Sequence, residues 1–214
     1  MKTESLIEVL SRGPIAVDPG SATRRFAIAV AAGFGLAAAA MLALLGPRHD
    51  IASALGTPMF WMKLAFPTLL AAATLAAAVR LARPGGNARA AWVTTAMVLC
   101  ILEVAAVAAI VVAAPGERVA MVAGHTALPC VASIVLLALP ILLATLLAMR
   151  GLAPTRLRAA GLAAGLAAGT LAAAVYALHC DESTVPFLAA WYVLGMSIPG
   201  ALGAAAGPRW LRWA

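Results

Sequence analysis

Six apolar stretches of about 20 residues, separated by short loops, leave this 214-residue chain almost no material for a water-soluble domain. They run over Phe26–Leu45, Phe60–Val79, Ala91–Val112, Pro129–Ala148, Ala159–Leu178 and Pro186–Ala205. A helix rising 1.5 Å per residue needs about 20 residues to cross roughly 30 Å of hydrocarbon. Each stretch therefore predicts one crossing, and the fold class is an all-α, polytopic membrane protein: a six-helix transmembrane bundle. A soluble helical bundle fails on surface. The chain is 64% hydrophobic with mean hydropathy +1.00, and only 11% of its residues are charged, against about 25% in soluble domains.

The positions of the basic residues predict orientation. Lys2, Arg12, Arg24 and Arg25 precede the first span; Arg80, Arg83 and Arg89 follow the second; Arg150, Arg156 and Arg158 follow the fourth; Arg209 and Arg212 close the chain. The other side holds Arg48 and Arg118, and Lys63 lies within a span. Basic residues concentrate on the cytoplasmic side of membrane proteins, so both termini are expected in the cytoplasm. The net charge of +7 is thereby assigned to topology, not to nucleic acid. A cleaved leader is not expected, because Glu4, Glu8 and Asp18 make residues 1–25 too acidic and the stretch is too long.

Three regions follow: a cytoplasmic tail over 1–25, the membrane domain over 26–205, and a short basic tail over 206–214. Within the first, Thr3 to Leu10 reads as a short amphipathic helix. Leu6, Ile7 and Leu10 share one face, with Glu4 and Glu8 four apart on another. Gly13-Pro14 ends it. Two readings stand: a tail lying on the membrane surface, or a segment whose apolar stripe fills a groove on a cytoplasmic partner.

Gly161, Gly165 and Gly169 in the fifth span, and Gly203 and Gly207 in the sixth, predict close helix approach. Among polar groups at membrane depth, Glu103 is expected as a hydrogen-bonded carboxyl facing the bundle interior. Lys63, near the outer interface, is expected to snorkel to it.

Cys130 and Cys180 fall at the outer ends of the fourth and fifth spans, with His125 five residues before the first and His179 directly before the second. Asp181 and Glu182 follow. These groups make a candidate metal or thiol-sensing set; a Cys130–Cys180 disulfide or two inert thiols are the alternatives.

The segment MRGLAPTRLRAAGLAAGLAAGTLAAAVYALHCDESTVPFLAAWYVLGMSIPGALGAAAGPRWLRW, from Met149 to Trp213, closely resembles the NrsF family of membrane negative regulators of sigma factor. The opening MKTESLIEVL, the run TPMFWMKLAFP from Thr57 to Pro67 and the following RLARPG resemble the same family, and YALHC…PF…WY is the most specific part. The resemblance spans the whole chain. It implies a six-span protein of the inner membrane of Gram-negative bacteria, a regulator and not an enzyme, with no cofactor and no direct contact with nucleic acid. Its partner would be an extracytoplasmic-function sigma factor on the cytoplasmic side, contacted by Leu6, Ile7 and Leu10. Cys130 and Cys180 match the family's paired outer cysteines, which implies sensing of thiol-reactive metals or oxidants. Two other classes compete: a small metal or solute transporter using Glu103, and a thiol-redox membrane protein. The first lacks inverted repeats and a polar pathway, the second a close CxxC pair.

Overall fold

The structure, a computed structural model, describes residues 3–11 and 20–212, the side chains of Leu6, Val9, Leu10, Ser21 and Ala22 excepted. The Gly13-Pro14 break expected after the first helix lies outside the described residues. The chain is helical: α1 (Thr3–Ser11), α2 (Ser21–Leu44), α3 (Ile51–Ala54), α4 (Pro58–Leu81), α5 (Arg89–Val112), α6 (Arg118–Ala123), α7 (Ala127–Arg150), α8 (Leu157–Tyr176), α9 (Val185–Phe187) and α10 (Val193–Trp210), with a π-helical turn over Leu188–Tyr192. Among the described residues, six helical segments are long and apolar enough to cross a membrane, and they overlap the six apolar stretches of the sequence.

Local chemistry sets the helix ends. The Thr57 hydroxyl accepts the Phe60 amide at 3.4 Å, and Pro58, which has no amide to leave unpaired, opens α4. Gly46, at φ +73°, ends α2 in the left-handed region that side chains avoid. Pro67, Pro140 and Pro199 lie inside helices that continue through them, as membrane helices allow when neighbours satisfy the freed carbonyls.

α8 forms the centre, packed against α10, α4 and α7, while α2 leans on α7 and α5 stands at the edge against α4 and α9. The glycines explain the centre. A Cβ at Gly161 or Gly165 would overlap the backbone of Gly203 or Pro199, and one at Gly207 would overlap that of Leu157. The two helices meet backbone to backbone, where dispersion replaces the hydrophobic drive that lipid cannot supply. Thr74 and Thr170 share a hydrogen bond at 3.2 Å between α4 and α8, a polar tie where water is excluded.

The bundle has two unlike ends. One gathers the arginine-rich loops, where the Arg83 guanidinium donates to the Thr23 hydroxyl at 2.7 Å. The other carries Cys130, Cys180 and the short helices α3, α6 and α9.

Candidate functional site at the cysteine end

Cys130 sits in the first turn of α7, its amide bonded to the Thr126 carbonyl at 2.8 Å. Cys180 sits in the loop after α8, which curls back so that the amides of His179 and Cys180 both reach the Tyr176 carbonyl, at 2.9 and 3.0 Å. These two local turns bring together residues fifty positions apart. Both thiols are buried, at 0% and 3% exposure, and neither forms a disulfide.

The loop is held from several sides. Lys63, on α4, donates to the Cys180 carbonyl at 2.7 Å and to the Glu182 carbonyl at 2.6 Å. The snorkelling expected of it is overturned: Lys63 is 1% exposed, its stem spent inside the bundle and its ammonium on two backbone acceptors. Its Nζ also lies 5.6 Å from the centroid of the Tyr192 ring, an attraction between cation and ring face. Arg48 donates to both Asp50 carboxylate oxygens, from Nε at 2.6 Å and from Nη2 at 2.7 Å, and its amide donates to the Leu178 carbonyl at 3.1 Å. Hydrogen bonding to Arg48 lowers the Asp50 carboxyl below its ordinary range, and the same bond raises Arg48. On the other flank, a Glu182 carboxylate oxygen accepts the amides of His125 and Thr126.

The electrostatics single out Cys180. Hydrogen bonding with Cys130 is the largest influence lowering its thiol below the ordinary range; burial opposes it, and the Lys63 ammonium adds to it. Such surroundings favour the thiolate, which is the nucleophile and metal ligand. The Tyr192 hydroxyl is fully buried beside Cys180, with no nitrogen or oxygen partner among the described residues. Tyr192 is delivered by the π-helical turn, an irregularity frequent at functional sites. A cavity of about 470 Å³, lined in part by Pro47, Arg48, Tyr176, His179 and Asp181, borders Cys180.

The imidazoles do not join the thiols. The His179 ring bonds the Gly46 carbonyl at 2.8 Å, and His125 is exposed and engages Glu182 through its backbone. Among the described residues, no three His, Cys, Asp or Glu side chains gather as a metal site would require. Sequence reasoning missed Arg48 and Tyr192 and misjudged Lys63. The one available signal was a lysine inside an apolar helix, which demands acceptors. Glu103 is corrected as well: it is exposed on α5, as is Cys100, and does not face the bundle interior. A transport pathway built on that carboxyl has no support. Of the candidate partner contacts, Ile7 is 60% exposed on α1, whereas the side chains of Leu6 and Leu10 lie outside the described ones.

Residues 10–213 match the family described as negative regulator of sigma F, NrsF. The chain belongs to the NrsF family. It is 48% identical over 215 residues to the probable anti-sigma-F factor NrsF of Azospira oryzae, and 40% identical over 222 residues to the anti-sigma-F factor NrsF of Caulobacter vibrioides, with both chains covered completely in each case. No solved structure matches the chain. The cysteine-end site therefore belongs to a member of a family of regulators, the NrsF proteins.

Proposed function

We propose that the protein is a membrane-held anti-sigma factor that keeps an extracytoplasmic-function sigma factor from RNA polymerase and releases it when a thiol-directed signal reaches Cys130 and Cys180. The full-length similarity to two anti-sigma-F factors carries this reading. The protein then lies in the bacterial inner membrane with its arginine-rich end and both termini in the cytoplasm, as the basic-residue bias favours. Residues 1–25 are the sigma-binding segment, 26–205 the membrane domain and 206–214 a short basic tail. Leu6, Ile7 and Leu10 fill a groove on the sigma factor, an amphipathic-helix mode of recognition that the exposure of Ile7 supports. The arginine loops on the same side steer acidic partner surfaces towards the tail.

At the opposite end, oxidation by hydrogen peroxide removes two protons and two electrons from the thiols, forming one disulfide and two waters. A soft cation instead displaces the two protons and bridges the sulfurs. Either event ties the loop over 177–184 to α7. The His179 ring joins the ligand set only after its contact to the Gly46 carbonyl breaks. For release, the signal must bind the sigma-free state more tightly; a swing from 1:99 to 99:1 needs about 5.5 kcal/mol of preference.

A reporter transcribed by the sigma factor tests this in cells. The full chain should silence it, deletion of residues 1–11 should restore transcription, and cadmium should relieve silencing by the intact chain but not by Cys130→Ser. A full chain that leaves the reporter active refutes the anti-sigma reading. Relief of Cys130→Ser by cadmium refutes the sensor.

A further inference from the structure

α5 is the spanning helix least held by its own bundle: 17% of its crossing window is buried, against 72% for α8. Its buried residues, Ala91, Thr95, Leu102 and Ala106, share one stripe. Beside that stripe run Ala96, Cys100, Glu103 and Val107, all exposed. Their spacing of four, three and four is the alternation that keeps a seam against a partner helix. At 100° per residue they stay within about 60° of one another.

Glu103 decides what such a seam meets. It stands about 21 Å along the helix from Arg89 and about 13 Å before Val112, at membrane depth from either end. An ionisable side chain there is costly unless it turns inward or finds a partner. Glu103 does not turn inward, and no hydrogen bond or ion pair among the described residues engages it. A second copy supplies what is missing. In a two-fold contact, residues near the axis meet their own counterparts. A carboxyl that keeps its proton carries both a donor and an acceptor, so two of them satisfy each other without a third group.

We propose that α5 is the interface through which two copies of this chain associate in the membrane, with Ala96, Cys100, Glu103 and Val107 as the seam and the two Glu103 carboxyls hydrogen-bonded across the two-fold axis. The contact is independent of the thiol site, since Cys130 and Cys180 are buried at one end of the bundle. Cys100 is the exposed cysteine and serves as a built-in probe.

The full chain, reconstituted as the sole protein in lipid vesicles at low density, is treated with a short bis-maleimide. The proposal expects a covalent dimer through Cys100, lost in Cys100→Ser. In the Cys100→Ser background, Val107→Cys restores it, whereas Ala105→Cys, exposed on the far side of the helix, does not. Glu103→Leu should lower the cross-linked fraction roughly fivefold, the scale of an interhelical hydrogen bond, and Glu103→Gln, which keeps donor and acceptor, should retain it. Equal cross-linking at positions 100, 105 and 107, or none at 100 and 107, overturns the interface. Unchanged cross-linking in Glu103→Leu overturns the carboxyl pair.

Discussion

Lys63 shows what a single charged side chain must do inside an apolar bundle. Its ammonium cannot reach water, so it takes the carbonyls of Cys180 and Glu182 and thereby fixes the loop that carries the buried thiol. Replacing Lys63 with Met leaves these acceptors without their ammonium, and an orphaned buried acceptor costs about 1–3 kcal/mol. Thermal unfolding in detergent should show that loss, whereas a snorkelling lysine would be replaced at almost no cost. Cys180 gives a second prediction. Its pKa is depressed chiefly by Cys130, so its thiolate persists as pH falls below the ordinary thiol range. Cys130→Ala raises that pKa, and once it lies above 6 the thiolate at pH 6 falls about tenfold for each further unit of rise. Alkylation of Cys180 measured from pH 5 to 9 should move to higher pH in the variant. The placement of the two cysteines at one level was legible in the sequence, because counting back along the spans locates both ends. The side chains around them were not: nothing in the spacing of Lys63 or Tyr192 says which carbonyl or thiol the loop after α8 will bring near.

The helices differ in how much of their sequence is spent on one another. α8 and α10 use glycine where their backbones cross, and Gly165→Leu would place a side chain where Pro199 and Gly200 already lie. Overpacking of that kind costs about 1–3 kcal/mol or more, and unfolding of the variant in detergent should report it. Gly35→Leu, on α2 with open space around it, should change stability by no more than about 0.5 kcal/mol. The glycine stripe was readable as a packing face, since its four-residue period is a property of the sequence. Which helix it meets was not, because both spans carry the same signal. α5 was misread for a related reason. The sequence places Glu103 at membrane depth, but an all-round apolar helix carries no signal for which face the bundle covers, and the covered stripe is Ala91, Thr95, Leu102 and Ala106.

At the scale of the whole molecule, two ends with different chemistry are joined by a compact centre. Six spans were legible because hydrocarbon thickness fixes helix length, and the arginine bias predicts which end faces the cytoplasm. A fluorescent protein fused to the C-terminus should therefore fold and fluoresce in cells, and a dark fusion present at normal levels would contradict the orientation. Family membership points to a sigma factor as partner, and the function proposed above assigns one task to each end: recognition to the tail, reception of the signal to the thiols. In that proposal, α4, α7 and α8 are the helices that would carry a change between the ends, since they hold Lys63 and Cys130, lead into the Cys180 loop, and run to the arginine-rich loops. The most direct test is co-purification of the solubilised full chain with the sigma factor, before and after cadmium, in parallel with Cys130→Ser and with a chain lacking residues 1–11. The account predicts a complex that cadmium dissolves in the intact chain, that survives cadmium in Cys130→Ser, and that is absent without the first eleven residues. A complex that cadmium leaves intact, or one that forms equally well without α1, would contradict it.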